Sequence, residues 1–231
     1  MADTAQGTRF QVGDAGTPEL FTDLAGVKKI GGASLSNPTI PATDLLDEAV
    51  QRISSKLCDC GQVSLDLHFD ARAANDQDAL VDKVIAGSGQ SNYVICWSNL
   101  DANTTAINNV DTVDDELDTL AAHGWHTGQP IRFTTDGTLP TSVPQIVVGK
   151  TYFAGYVDAD SITVHLTNAD AVAGANAIDF TVAGASNNNV TFGTRWTFAA
   201  LVQGASPSGD AGDALAATLN FEISDTVGIV G

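Results

Sequence analysis

Residues 61–70, GQVSLDLHFD, alternate without a break. Val63, Leu65, Leu67 and Phe69 fall on one side of an extended chain, and Gln62, Ser64, Asp66 and His68 on the other. Successive side chains of a strand point to opposite faces, so this period of two marks a strand buried on one side only. The stretch LAATLNFEISD, 215–225, repeats the pattern with Leu219, Phe221 and Ile223. A chain framed by such strands is expected to be mainly β.

Other segments fit that frame. TRFQV (8–12) and VKKIGGASLS (27–36) read as short strands around a GDAGTPE turn, and NYVICWS (92–98) as another strand. NDQDALVDKVIA (75–86) predicts the one clear helix. Asn75 is placed as its N-cap, acids fill the first turn, Leu80, Val81, Val84 and Ile85 form an apolar stripe, and Gly87 ends it. Residues 37–60 have two early prolines and no clean period of two. Leu45, Leu46, Val50 and Ile53 there mark either a helical face or an extended, mobile excursion.

The composition then shifts. Residues 99–118 are polar and acidic, and Asp111 to Glu116 read as part of a solvated linker. Short strands follow at IRFTT, TYFAGYV, SITVHLT and NAIDFTV, with TDGT and VDADS as turns. After Gly193 the earlier style returns in RWTFAALVQG, a flexible ASPSGDAGD turn and LAATLNFEISD. The expected organisation is one β-domain made from 1–98 and 194–231, with a small all-β module, 99–193, inserted between its strands.

A search for chemistry returns nothing. The charge of −18, from 28 acids against 10 bases, disfavours binding to nucleic acid or to anionic membranes. No apolar run reaches bilayer length, and MADTAQGTRF lacks the pattern of a secretory signal. The odd cysteine count (Cys58, Cys60, Cys96) argues for free thiols in a reducing compartment, and C-x-C without a second pair is a poor zinc site. His123-Gly-Trp-His126 has no obvious third ligand and reads as a surface turn. The 111–116 acids lack the spacing of an EF-hand. There is no G-x-S-x-G elbow or phosphate loop, and Asp66 beside His68 has no nucleophile. No enzyme, metal site or cofactor is expected.

The order TRFQVGD…TPELFTDLAGVKKIGGASLS, a proline-bearing excursion, GQVSLDLHFD, one helix and a closing LNFEISDTVG resembles the major tail tube proteins of long-tailed, lambda-type bacteriophages. The resemblance covers about 1–98 and 194–231. HGWHTGQPIRFTTDGTLP and DADSITVHL resemble more loosely a β-module of phage tube and fibre proteins. The resemblance implies a β-sandwich or barrel with one flanking helix, in subunits that close into hexameric rings and stack into a tube. Genome DNA would pass through without specific binding. Implied partners are further copies of the chain, a tail-tip or baseplate initiator, a tape-measure protein and a tail terminator. The place would be the virion, after assembly in the bacterial cytoplasm, with no membrane bound by this chain.

On the same resemblance, 37–60 takes the place of a loop that touches the neighbouring ring, with Leu45, Leu46, Val50 and Ile53 as its contacts. Asp66, His68 and Glu222 would face the lumen, where acidic walls repel phosphate. The insert would project outward, and its removal would leave tube formation intact. Two alternatives accompany this reading: a fibre- or adhesin-type carbohydrate-binding module, and the tube subunit of a contractile or secretion-like system.

Overall fold

The computed structural model describes residues 6–32, 36, 39–42, 52–54, 60–70, 76–87, 89–119, 122–184, 188–209, 215–224 and 227–230. The chain begins with strands β1 (Arg9–Gly13), β2 (Phe21–Asp23), β3 (Val27–Gly31), β4 (Thr39–Pro41), β5 (Arg52–Ser54) and β6 (Gln62–His68). Helix α1 (Asp76–Ala86) follows, then β7 (Ser91–Cys96), β8 (Asn103–Asp111), β9 (Glu116–Thr119), β10 (Gln129–Thr135) and β11 (Thr141–Val143). Next come β12 (Thr151–Tyr156), β13 (Ser161–His165), helix α2 (Asn168–Ala173), β14 (Asp179–Val182) and β15 (Asn188–Phe192). The chain closes with β16 (Arg195–Ser208), β17 (Ala216–Ile223) and β18 (Gly228–Val230). The fold is mainly β, as the alternating segments require, and the described residues hold two flanking helices where one was expected.

Two compact units divide the chain. The first comprises Met1–Leu24, Asn92–Thr197 and Ile229–Gly231; the second comprises Ala25–Ser91 and Phe198–Gly228. The first unit thus joins the N-terminal strands to the whole segment that the sequence reading treats as an insert.

In the first unit, six strands close into an antiparallel barrel in the order β10–β12–β13–β9–β8–β15, with β15 pairing back onto β10. Phe133, Tyr152, Leu117, Ile131, Ile162 and Val164 fill it, all fully buried. The Phe133 and Tyr152 rings meet edge to face at 5.6 Å, and the Tyr152 hydroxyl accepts from the Val147 N–H at 2.9 Å. Beside the barrel, β1 pairs with β2 on one edge and β7 on the other. Helix α2 is fixed at both ends. The Thr167 side chain accepts from the Asp170 N–H, and Gly174 closes the helix in the left-handed region.

Asp111 to Glu116 are not a linker but the turn of the hairpin β8–β9, whose strands bury Ile107, Val110 and Leu117 in the barrel core. The spacing of three between Ile107 and Val110 hides the strand, because the pairing with β9 shifts between Ile107 and Asn109 and the alternation breaks there.

The second unit contains the antiparallel order β16–β17–β6–β3, with the ribbon β4–β5 and helix α1. The two clearest strands of the sequence are neighbours here, with Leu65 opposite Leu219 and Val63 opposite Phe221, all buried. Strand β16 runs on to Ser208, through part of the expected flexible turn, and Ser206 to Ser208 pair with β17.

The stripe of α1 also differs from expectation. Leu80 is buried and Val81 and Val84 are half-buried, but Ile85 is 79% exposed. The buried line begins instead at Gln77, one turn before Leu80. Its Nε2 donates to Ala25 O at 2.7 Å and His68 O at 3.1 Å, and its Oε1 accepts from the Asp70 N–H at 2.9 Å. Gly26, at φ +77°, permits this approach, since a Cβ there would lie 2.6 Å from His68 O.

Candidate functional site

Two arrangements of polar side chains stand out, one in each unit. In the second unit, β6 and β17 alternate in step, so their polar residues share a face: Gln62 lies opposite Glu222, Ser64 opposite Asn220 and Asp66 opposite Thr218. The hydrogen bonds run across the strands. Gln62 Nε2 donates to Glu222 Oε2 at 2.7 Å, and Thr218 Oγ1 donates to Asp66 Oδ1 at 2.9 Å. Lys29 on β3 approaches Asp66 Oδ2 at 4.0 Å with both side chains well exposed, a pairing of little energetic weight. His68 is exposed at the end of β6. Amides and hydroxyls dominate this face, and each of its two carboxylates has a donor from the neighbouring strand.

Strand β3 ends the sheet order on its side. It carries two exposed lysines, Lys28 and Lys29, and a register shift between Val27 and Lys29. Lysine and a bulge are devices that keep an open edge from pairing indiscriminately.

The second arrangement is a buried polar seam in the first unit, where β1 and β2 meet the barrel. At its centre Gln11 is fully buried. Its Nε2 donates to Asp23 Oδ1 at 2.9 Å and to Gly128 O at 2.8 Å. Its Oε1 accepts from the Cys96 thiol at 3.4 Å and from His126 Nε2 at 2.8 Å. The other ring nitrogen, Nδ1, faces Arg195 NH1 at 3.0 Å, and the same NH1 donates to Gln129 Oε1 at 2.6 Å. Arg195 also donates to Gly124 O.

Asp23 is ion-paired with Arg9, whose guanidinium lies 4.6 Å over the Phe153 ring. Asn168, at the start of α2, bonds to the same backbone. Its Oδ1 accepts from the Asp23 N–H at 3.2 Å, and its Nδ2 donates to Gly128 O at 3.1 Å. Gly128 must lack a side chain. At φ +87° a Cβ would lie 2.7 Å from Phe21 O and run into the Asn168 amide.

Burial sets the protonation of this seam. It pushes the Cys96 thiol up to about 12. Burial, and then the Arg195 cation, push His126 down to about 3. Arg195 itself is lowered by burial, and all three of its acceptors are neutral. Most of these groups are matched donor to acceptor, which is how a low-dielectric interior tolerates them, while Arg195 Nε is buried without a hydrogen-bond partner.

His123-Gly-Trp-His126 is therefore not a surface turn. His123 is buried, its ring 4.8 Å from that of Trp125, and its Nδ1 accepts from the Trp125 N–H at 2.9 Å. The two histidines are spent on different partners. Among the described residues no group of three or more His, Cys, Asp or Glu is placed to hold a metal ion.

Of the expected loop contacts, Leu45, Leu46 and Val50 lie outside the described residues. Ile53 falls on β5, where its backbone pairs with Ile40 in the ribbon with β4. Asp66, His68 and Glu222 share the polar sheet face described above. The seam residues Arg9, Gln11, Asp23, Gln129 and Arg195 were not singled out from the sequence. The faint signal was Gln11, a lone amide inside the apolar strand TRFQV.

No family model matches the chain, and no curated protein does. Among solved structures, a chain in the sheath/tube terminator of an extracellular contractile injection system (PVC, extended state) is 10% identical, with a TM-score of 0.46. That match covers 100% of this chain and 98% of the other. A chain in the six-fold symmetrised baseplate of the anti-feeding prophage (AFP) is 13% identical, with a TM-score of 0.45 and the same coverages. Both likenesses run end to end, at a level that assigns no activity to this chain.

Proposed function

We propose that this chain is a structural subunit that assembles with copies of itself into a tube, with the polar sheet face turned to the channel. The observation that carries the reading is the sheet β16–β17–β6–β3. It is apolar on one face and amide- and hydroxyl-rich on the other, and its outermost strand β3 ends the sheet order. Closing such sheets side by side around a ring pairs every edge, and stacking the rings gives an open-ended tube. The order of segments in the sequence, which resembles that of tail tube proteins, supports the same reading.

Within it, the subunit belongs either to a long-tailed phage tube or to an injection-type assembly with the same subunit architecture. On both versions the chain has no catalytic role, and its partners are copies of itself and the proteins that start and end the tube. Asp66 and Glu222 are proposed to set the charge of the channel wall, with His68 beside them. Because both acids are hydrogen-bonded along the sheet and Lys29 lies 4.0 Å from Asp66, the wall would be weakly acidic, a surface that does not grip phosphate.

The barrel of the first unit is proposed to lie on the outside of the tube. Its removal would not be neutral. Deleting 100–193 takes away His126, Gly128, Gln129 and Asn168, the hydrogen-bond partners of Gln11, Asp23 and Arg195 in the seam.

Negative-stain electron microscopy of the purified full chain over a concentration series tests the proposal. Rings or hollow tubes with an axial channel are expected. Monomers at every concentration, together with binding to a glycan array, would overturn it in favour of a carbohydrate-binding module.

A further inference from the structure

His126 sits in the seam as a neutral ring, and its surroundings leave no place for a second ring proton. Nδ1 is an acceptor 3.0 Å from Arg195 NH1, and Nε2 donates to Gln11 Oε1 at 2.8 Å. The Gln11 amide cannot reverse to suit another state, because its Nε2 is held by both Asp23 and Gly128 O. A proton added at Nδ1 would set N–H against N–H and one cation against another.

The groups around the ring offer no compensation. Among the charged or titratable ones, β1 brings Arg9, β2 brings Asp23, β7 brings Cys96 and β16 brings Arg195; β10 adds only the neutral Gln129. Asp23 is committed to Arg9 and to the Gln11 amide. Cys96 keeps its proton, since burial pushes it up to about 12. The Phe21 ring of β2 lies edge-on at 4.9 Å. A protonated His126 would therefore gain a neighbouring guanidinium and no counter-ion.

We propose that His126 is an acid-operated latch, whose protonation releases the N-terminal strands β1 and β2 from the β-barrel. The closed seam is fully favoured above the ordinary histidine value of 6.5 and loses ground as the pH falls toward the closed-state value of about 3. Taking 6.5 for the open form, the opening equilibrium rises about 25-fold between pH 7 and pH 5. Opening uncovers Gln11, Asp23 and Phe21 together, so the chain would present a different N-terminal surface at mildly acid pH. This holds whether or not the chain forms tubes.

Amide hydrogen exchange tests the latch in the full chain, with rates corrected for the intrinsic effect of pH. The reporters are the Asp23 amide, bonded to Asn168 Oδ1 at 3.2 Å, and the Leu24 amide, bonded to Phe10 O at 2.8 Å. In the wild type their opening should increase about 25-fold from pH 7 to pH 5. In His126→Gln it should change less than about threefold, because the group that titrates is gone. His123 and His165, also held below the ordinary value by burial, act equally in both proteins and cancel in the comparison. Equal pH dependence in the two proteins would overturn the proposal. Should His126→Gln fail to fold, NMR titration of the wild-type histidines decides. A His126 ring that titrates near 6.5 while Asp23 and Leu24 stay protected sinks the latch. A ring that stays neutral until those amides open supports it.

Discussion

Six of the strands between Asn103 and Phe192 close on themselves, with β11 and β14 paired apart from them, whereas β16, β17, β6 and β3 form an open order that stops at β3. Closure relaxes the demands on sequence. In the barrel each strand is held by two neighbours, so β8 tolerates a register shift, three asparagines and two threonines and still buries Ile107 and Val110. The open sheet shares that support at β6 and β17, which also have two neighbours each, and it has register shifts of its own in the β3–β6 and β16–β17 pairings. Its register is specified by side-chain alternation, and β6 and β17 keep that alternation throughout. Charge divides the same way. The unit with the barrel has 15 acids and 4 bases, and the unit with the open sheet has 13 and 6. The closed element carries the larger excess of negative charge, and the face of the open one is nearly neutral.

Three measurements would break or sharpen that contrast. The largest effect is expected from emptying either core. Phe133→Ala in the barrel and Phe221→Ala in the sheet each remove a fully buried ring and should cost about 3–5 kcal/mol, read from urea unfolding. Phe133 also loses its ring contact with Tyr152. A markedly smaller loss for Phe133→Ala would contradict the idea that closure makes the barrel rigid.

Next comes Gln11→Leu, which keeps the volume but strips the amide from the seam. It leaves His126 Nε2, the Cys96 thiol and one oxygen of Asp23 with a bond missing, and should cost about 1–3 kcal/mol by the same assay. The smallest effect belongs to the open face. Gln62→Ala removes a comparable amide, but Glu222 can turn to water, so stability should move by no more than about 0.5 kcal/mol. If Gln62→Ala cost as much as Gln11→Leu, the polar face would have to be a covered surface even in the isolated chain.

The open sheet was the legible part of this molecule. GQVSLDLHFD and LAATLNFEISD show their buried sides because period-two alternation is a local property. Gly87, in the left-handed region with its N–H bonded to Val84 O, ends α1 where the sequence placed the stop. The barrel was half legible. Its later strands carry aromatic and branched residues between turn signals, but β8 conceals two core residues behind a bulge. Helix α2 is six residues of Asn, Ala, Asp and Val, too short to show a stripe and defined instead by Thr167 and Gly174 at its ends.

The seam was not legible, and for a physical reason. Gln11 meets Gly128, His126 and Cys96 only after long stretches of chain have folded, and no local pattern encodes such a meeting. Ile85 was misplaced for a related reason, since a buried amide, Gln77, took a place on the helix that an apolar reading leaves empty.

That long separation matters while the chain is being made. Gln11 and the carbonyl that receives it, Gly128 O, are 117 residues apart. At about 5–20 residues per second the ribosome needs roughly 6–23 s to deliver the second after the first. Strand β1 leaves the ribosome that long before Gly128, with Gln11 and its neighbour Phe10 destined for an interior that is not yet complete. For those seconds it has at most β2 and then β7 to pair with and no barrel to cover it, and so it stays a partly apolar strand, the kind of segment that holding chaperones bind. Expression of this protein should therefore depend on what shelters β1 and β2 until the barrel is complete.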